Sequence, residues 1–229
     1  MRINKYLAKA GIASRRKAEE LILEGKVSIN DKVIQELGTI VEEGDIVKFN
    51  NRVVKPIDEH IYLLLNKPVG YVSTVEDPYA DKVVLDLIDF KNRIYPVGRL
   101  DKDSRGLLIL TNDGEITHKL THPSNDFPKT YMVKLNSMPA EKDLKKLESG
   151  IMIDGSLTKK AKIKKISDFQ YKITITEGRN RQVRKMFKHI GCKVIDLNRI
   201  AIGNIRGNGL KEGEYRALSK KEINYLRSI

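Results

Sequence analysis

Cysteine is almost absent from this sequence, since Cys192 is the single thiol among 229 residues. A single cysteine excludes an intramolecular disulfide and any metal site built from several cysteines, and it fits a reducing compartment. No apolar run approaches the roughly 20 residues that a membrane span needs. The opening MRINKYLAKAGIASRRK also lacks the continuous apolar stretch of a secretory signal. We therefore expect a cytoplasmic protein with no membrane segment.

Motifs for common cofactors are also missing. The phosphate-binding pattern G-x-x-x-x-G-K-[ST] does not occur, and no glycine-rich nucleotide turn follows a strand. His118 and His122 lie four residues apart, but no adjoining Glu or third ligand accompanies them, which argues against a zinc site. The sequence thus predicts neither a metal nor a cofactor, and it disfavours a methyltransferase that uses a nucleotide cofactor.

What the sequence has in excess is positive charge. Its 43 Lys and Arg residues outnumber 30 Asp and Glu residues, which gives a net charge of +13. Such an excess attracts polyanions, so nucleic acid is the first partner to consider. Many of these lysines could instead be ordinary solvated surface, and the positions of the arginines are what favour nucleic acid.

Residues 1 to 58 are predicted to form a small unit together with its linker. The patterns indicate helices over about 3–10 and 15–24, the second capped by Ser14 and ended by Gly25, followed by three short strands. Residues 51 to 60 contain Pro56 and show no clear periodicity, so they are predicted to be the linker.

Basic side chains concentrate at the start of the second predicted helix. The helix macrodipole disfavours cations there by ~0.3 kcal/mol or more each. Binding of RNA phosphates explains basic residues at this helix start better than a contribution to helix stability does. The alternative is a run of charged residues that is merely solvated. The predicted RNA-binding residues of this unit are Arg2, Lys5, Ser14, Arg15, Arg16, Lys17 and Lys26.

Residues 59 to 229 predict an α+β domain built on a mainly antiparallel sheet. Strand-like segments cover 61–66, 94–100, 107–111, 129–136 and 169–176. Helices are predicted from Pro139 to Gly150, over 180–190, and over 218–226 with a capping box from Ser219 and Glu222.

Two segments of this domain combine charge with structure. The sequence GRLDKDSRGLLILTNDG, residues 98 to 114, places Asp101 between Arg99 and Arg105 just before a strand-like run. From the residues alone, an ion pair that pins a loop is the more probable interpretation of Asp101. In EGRNRQVRKMFKHIG, residues 177 to 191, helical spacing predicts a core stripe of Val183, Phe187 and Ile190 and a basic face of Arg181, Arg184 and Lys188.

Three motifs change that interpretation. YPVGRLDKDSRGLLILTNDG, KTYMVKL and EGRNRQVRKMF resemble, in order and approximate spacing, the bacterial ribosomal-RNA pseudouridine synthases of the RsuA type. The N-terminal unit resembles the alpha-L RNA-binding domain that this family carries, so the resemblance covers essentially the whole chain. The sequence LDKDS and the segment TKKAKIKKI, residues 158 to 166, resemble the large-subunit, RluF-like branch of the family more closely than its other members.

The resemblance assigns roles residue by residue. The family's essential aspartate matches Asp101, its active-site tyrosine matches Tyr131, and its active-site arginine matches Arg184. Arg99 matches an arginine associated with displacing the target base, and Arg181 and Lys188 are expected to contact RNA. Arg184 is the expected partner of Asp101, because a cation within ~4–6 Å favours the ionised carboxylate. Residues 102 to 105 lie where relatives vary, so they add little weight to the resemblance.

The implied reaction turns a uridine into its isomer pseudouridine, so no metal, redox cofactor or energy donor is expected. The expected substrate is large-subunit ribosomal RNA, with small-subunit ribosomal RNA and transfer RNA as alternatives. Whether the aspartate attacks the ribose or abstracts a neighbouring proton stays open at this point. A monomer is expected, and a non-catalytic ribosome assembly factor is the competing hypothesis.

Overall fold

The computed structural model describes residues 1–90 and 92–229, which form two compact units. The first holds residues 1–60, with residues 92 and 93 grouped with it, and the second holds residues 61–90 and 94–229. The chain therefore divides after residue 60, whereas the sequence placed the division after residue 58. Within the described residues, no helix is both long enough and apolar enough to cross a bilayer.

The N-terminal unit begins with two helices that carry the predicted end signals. Ser14 caps the second helix by accepting a hydrogen bond from the Lys17 N–H at 3.2 Å, and Gly25 follows that helix with a φ of +70°. Ala18 and Ile22 pack with Leu7 of the first helix in one buried cluster. The elements are α1 (Ile3–Lys9), α2 (Arg15–Leu23), β1 (Val27–Ile29), β2 (Lys32–Val33), β3 (Val47–Phe49) and β4 (Arg52–Val53).

The strands of this unit form an antiparallel sheet in the order β2-β1-β3-β4. Two hairpins join them through Asn30-Asp31 and Asn50-Asn51, all four residues with positive φ, as a two-residue turn of this hand requires. The second turn corrects one prediction. Residues 52 and 53 pair with β3 and extend the sheet, so the start of the expected linker is structured.

The second unit contains one large mixed sheet and flanking helices. Its described strands are ordered β11-β12-β8-β13-β7-β5-β15, with β14 on β13 and β6 on β7. Among them β13 and β7 run parallel, and the other described pairings are antiparallel, which confirms the α+β prediction. The elements are β5 (Tyr62–Lys67), β6 (Tyr95–Pro96), β7 (Arg105–Thr111), α3 (Gly114–Thr121), β8 (Lys129–Leu135), α4 (Glu141–Ser149), β9 (Met152–Ile153), β10 (Ser156–Leu157), β11 (Lys162–Ser167), β12 (Gln170–Ile175), α5 (Gln182–His189), β13 (Val194–Ile202), β14 (Ile205–Arg206), β15 (Tyr215–Ala217) and α6 (Lys220–Arg227), with 3₁₀ turns at Val84–Leu87 and Pro123–Asn125.

The central strand β7 is buried on both faces, which accounts for its unbroken apolar run. Leu107 and Ile109 pack into one cluster, while Leu108 and Leu110 pack into another on the opposite face. At the other end of the sheet, β8 and β12 alternate buried and less buried residues with period two. One face of that end is covered by α5 and its neighbours, where Phe187 is fully buried.

Several element boundaries differ from prediction. The strand expected over 94–100 shortens to residues 95–96, and α4 starts at Glu141 instead of at Pro139. The helix expected from 180 starts at Gln182, because Arg181 has a left-handed φ of +51°. Arg181 is therefore not part of the helical basic face with Arg184 and Lys188, and its side chain takes a different course.

Candidate active site

The loop that carries Asp101 joins residue 100 to β7 and is fixed by hydrogen bonds to its backbone. The Ser104 N–H donates to the Asp101 carbonyl at 3.0 Å and closes a turn. Ser73 Oγ both donates to the Leu100 carbonyl (2.8 Å) and accepts from the Leu100 N–H (3.0 Å). The carboxylate of Asp101 thus extends from a backbone whose course is set on both sides.

Lys67, the last residue of β5, supports the same loop from inside the domain. Its side chain is 0% exposed and donates to the carbonyls of Asp101 (3.2 Å), Ser104 (2.6 Å) and Pro68 (3.0 Å). Burial, followed by the nearby Arg199 charge, lowers the pKa of Lys67 to about 8. A buried ammonium is acceptable here because carbonyl oxygens accept its hydrogen bonds. No sequence motif pointed to this residue.

Two arginines bind the loop from the α5 side. Arg181 forms a bidentate pair with Asp103, with N–O distances of 3.0 and 2.7 Å, and its Nη1 lies 3.8 Å from Asp101 Oδ2. Arg184 instead donates from Nη2 to the Asp103 carbonyl (2.7 Å) and to Ser104 Oγ (3.3 Å). The expectation that Arg184 pairs with Asp101 is therefore corrected, since the closer cation is Arg181.

The left-handed backbone of Arg181, just before α5, explains why Arg181 and not Arg184 lies closest to Asp101. A side chain at an ordinary first helical position would follow the helix surface, whereas Arg181 departs before the helix begins and reaches the loop. Asp103, to which the sequence assigned no role, contacts both arginines. Its Arg181 partner, with Arg184 nearby, holds the pKa of the Asp103 carboxyl below its usual value.

Arg105 does not take part in this ion-pair group. Its guanidinium binds Asp196 with two hydrogen bonds of 2.9 and 2.7 Å and also contacts Glu212. The alternative in which Asp101 serves to pair with Arg105 is therefore not what the structure contains. Instead, Arg105 anchors the start of β7 to β13.

Asp101 borders a cleft of about 260 Å³. Tyr131 on β8 lines its floor with a side chain that is only 7% exposed, next to Leu197 of β13. Arg99 and Arg181 are exposed residues that line the same cleft. The cleft combines an aromatic floor, one carboxylate and cations at its edge, which suits a planar base on an anionic backbone.

Two further cations lie in the cleft and were missed in the sequence. Arg199 is 3% exposed, donates from Nε to the Leu107 carbonyl at 2.6 Å, and within the described residues its buried Nη2 has no hydrogen-bond partner. Burial, followed by the charge of Arg199, lowers the pKa of Lys129 to about 8. Lys129 shares a strand face with Tyr131 because it lies two residues earlier, and that spacing was an available signal.

Gly106 allows Arg199 to approach the loop. It has a φ of +111°, and a Cβ added there would lie 2.4 Å from the Arg199 carbonyl oxygen. Gly106 pairs with Arg199 where β7 and β13 run parallel. A glycine is required because any side chain would separate the two strands that bring Asp101 and Arg199 to one cleft.

The remaining predicted RNA contacts are on the surface. Lys188 is exposed on α5, where it borders a neighbouring groove together with Arg181 and Arg184. In the N-terminal unit all seven predicted residues are exposed. Lys17 pairs with Glu20 and Lys26 pairs with Glu24, each at 2.6 Å. Within residues 1–90 and 92–229 no ion pair is described for the other four cations, Arg2, Lys5, Arg15 and Arg16.

Comparison with known proteins shows which family of enzymes carries a domain like the one that contains this cleft. A family model described as RNA pseudouridylate synthase matches residues 61–189, which contain Asp101, Tyr131 and Arg184. The chain belongs to the RNA pseudouridylate synthase family. The S4 domain model matches residues 1–47, which confirms the expected RNA-binding unit ahead of the synthase domain.

Individual relatives of this pseudouridine synthase are similar along nearly the whole chain. Ribosomal large subunit pseudouridine synthase B of Bacillus subtilis is 46% identical, with 100% of this chain and 96% of that protein covered. The dual-specificity RNA pseudouridine synthase RluF of Escherichia coli is 40% identical over 97% of this chain and 77% of its own length. A crystal structure of a pseudouridylate synthase superimposes with a TM-score of 0.73 at 33% identity and covers 99% of both chains.

Proposed function

We propose that this pseudouridine synthase modifies a uridine of large-subunit ribosomal RNA, with Asp101 as the catalytic carboxylate. The observation that carries the proposal is the position of Asp101 at a cleft whose floor is Tyr131 and whose edge includes Arg99 and Arg181. The choice of RNA is supported by the name of the Bacillus subtilis relative, a large-subunit enzyme. The net charge of +13 suits such a polyanionic substrate.

The reaction conserves every atom of the nucleotide. The bond between ribose C1′ and uracil N1 breaks, the ring turns, and C1′ bonds to C5, while C5 loses a proton and N1 gains one. A base within folded RNA must first leave its stack, which costs a few kcal/mol. Arg99, exposed beside the cleft, is suited to hold the displaced backbone or fill the vacated position.

Asp101 supplies the negative charge that either route to pseudouridine requires. In one route it attacks C1′, and in the other it removes a neighbouring ribose proton to give a glycal intermediate. In both cases the Arg181 guanidinium lies beside that charge, with its Nη1 3.8 Å from Asp101 Oδ2. Arg184 is a positioning residue in this proposal, because it contacts the backbone of residue 103 and fixes the loop.

We propose that Tyr131, which lines the cleft, lies against the uracil ring and holds its hydroxyl near the departing C5 proton. The cleft wall beside it includes Lys129 and Arg199, whose charges are oriented by contacts within the protein. Preorganised charges of this kind act without reorganisation during the reaction. We propose that they bind the target nucleotide's phosphate or uracil oxygens.

The test is a pseudouridine map of all ribosomal and transfer RNAs from cells with the intact gene, without it, or with Asp101→Ala as the only copy. We expect one large-subunit uridine to lose its modification in both altered strains, and purified Asp101→Ala protein to keep its RNA affinity. A map that is unchanged in all three strains would contradict the proposed reaction and favour the non-catalytic assembly factor. A site lost from small-subunit or transfer RNA would contradict the proposed substrate only.

Two finer points belong to the same proposal. We expect the enzyme to act in the cytoplasm, where its ribosomal substrate is made, and to act as a monomer. Light scattering of the purified protein at several concentrations checks the oligomeric state. For a monomer we expect a mass near 26.1 kDa that does not change with concentration.

A further inference from the structure

The sheet of the synthase domain has a second basic surface, away from the cleft. On β12 the residues Tyr171, Ile173 and Ile175 are buried, and on β8 their neighbours Tyr131 and Val133 are buried with them. The alternating residues of β8 and β12, and their partners on the edge strand β11, are on the opposite face. Four of those residues are lysines and define what we call the lysine face: Lys134, Lys162, Lys164 and Lys172.

The lysine face is unusual because its charges repel one another. Lys164 lies directly opposite Lys172 in the antiparallel pair, and like charges in this arrangement destabilise a sheet. Lys134, Lys162 and Lys164 are exposed, and Lys172 is half-buried between strands. Within residues 1–90 and 92–229 no side-chain hydrogen bond or ion pair is described for any of the four.

Nearby acidic groups do not neutralise this surface. Asp196 on β13 is the register partner of Lys134, but both of its oxygens bind Arg105. Asp168 pairs with Lys165 at 2.8 Å, beyond the register shift that interrupts β11. A sheet selected for stability alone would alternate charges of both signs here, so the uncompensated lysines indicate an external anion.

We propose that the lysine face is a second RNA-binding surface, which holds the phosphate backbone of a substrate segment outside the catalytic cleft. The proposal rests on the proposed function for the identity of the polyanion. Tyr131 faces the cleft, whereas its neighbours Thr130 and Met132 on β8 lie on the same side of the sheet as the lysine face. Because the two surfaces are on opposite sides of one strand, the nucleotides next to the target uridine cannot occupy both. The lysine face therefore contacts a separate part of the folded RNA.

The test compares two double variants of the full chain with equal change in net charge. Lys164→Gln with Lys172→Gln removes the central pair of the lysine face. The matched control, Lys145→Gln with Lys146→Gln, removes two exposed lysines of α4 that pair with Glu141 at 3.2 Å and Asp143 at 2.9 Å. Binding to large-subunit ribosomal RNA is measured over a series of salt concentrations. Pseudouridine formation is measured on that RNA and on a short stem-loop containing the target.

For the test variant we expect a several-fold loss of affinity for the long RNA and a smaller salt dependence. The slope of log K against log salt concentration should fall by about 0.7–0.9 for each phosphate that a lysine no longer neutralises. The rate on the short stem-loop should stay at the wild-type value, and the melting temperature should be unchanged or higher because repulsion is removed. The control variant should keep the wild-type slope.

A wild-type slope and affinity in the Lys164→Gln/Lys172→Gln variant would overturn the proposal, as would an equal loss in the control. The proposal would also be overturned if the test variant lost binding to an acidic protein partner but kept wild-type RNA binding. Failure of the proposed function is a distinct result, since wild-type protein would then form no pseudouridine in either RNA while its salt-dependent binding could still be measured.

Discussion

The cations around Asp101 and those of the N-terminal unit differ in how far the protein fixes them. Lys67, Arg181 and Arg184 each make several hydrogen bonds to one loop, and Lys67 is fully buried. Arg15 and Arg16 are exposed on the first turn of α2, with no ion pair described for either in the described residues. Catalysis depends on the position of a charge relative to reacting atoms, whereas phosphate binding depends mainly on the presence of charge. The first group should therefore control the rate and the second the affinity.

The largest effect should come from Asp101→Asn, which preserves shape and removes the charge. We expect kcat to fall by about 10²–10⁴-fold, because no other carboxylate lines the cleft among the residues that the structure describes. Single-turnover pseudouridine formation and equilibrium RNA binding measure the two quantities separately. Loss of RNA binding in parallel with activity would mean that Asp101 only holds the site together.

A smaller effect on rate should follow from Arg184→Met. This change removes the hydrogen bonds to the Asp103 carbonyl and Ser104 Oγ and lets the Asp101 loop shift. We expect kcat to fall by about 10–100-fold with little change in KM, because a shift of ~1 Å in a catalytic group can cost about 10²-fold. Arg184→Lys, which keeps a donor, should recover part of the rate.

A raised KM with normal kcat in Arg184→Met would contradict that positioning role. It would place Arg184 among the residues that bind RNA through charge, together with Lys188 on the same helix.

The double change Arg15→Gln with Arg16→Gln should show the reverse behaviour. We expect kcat at saturating RNA to be unchanged, while affinity falls several-fold and the salt slope decreases by about 0.7–0.9 for each phosphate that is no longer bound. Lys145→Gln with Lys146→Gln is the matched control, because it removes the same charge and both lysines pair with acidic residues of α4. A drop in kcat at saturation would break the distinction between the two groups of cations.

The smallest effect on activity should come from an ion pair outside both groups. Glu222 pairs with Arg216 and caps α6 together with Ser219. The hydrogen bond from Arg216 and, to a smaller extent, those from Ser219 lower the pKa of Glu222 from 4.5 to about 2. The stabilisation is present above pH 4.5 and is lost as the pH falls toward 2. Glu222→Gln should therefore reduce the free energy of unfolding at pH 7 by about 1.5–3 kcal/mol without changing activity.

Denaturant unfolding of the Glu222→Gln variant and of the wild type between pH 7 and pH 2 measures how the free energy of unfolding of each protein depends on pH. The difference between the two proteins should shrink as the pH falls, and a constant difference would contradict the linkage between this carboxylate and folding.

Much of the fold could be predicted because local signals and burial agreed. The Ser14 cap, the Gly25 helix end and the period-two alternation of β12 are local features, and each appears where it was expected. The start of α5 could not be predicted from periodicity, because the left-handed backbone at residue 181 interrupts a pattern that continues in the sequence. The strand at 52–53 was missed because the preceding asparagine turn was not recognised.

The sequence by itself determined the class of the protein, through three ordered motifs, a basic N-terminal unit and the aspartate before β7. Only the tertiary structure decided which cation faces Asp101, and it brought in Lys67, Lys129 and Arg199 from three different strands. The physical reason is that a motif records residues adjacent in the chain, whereas the field at a carboxylate is made by charges that are adjacent in space. Those charges are placed by strand pairing and by the burial of the groups that carry them.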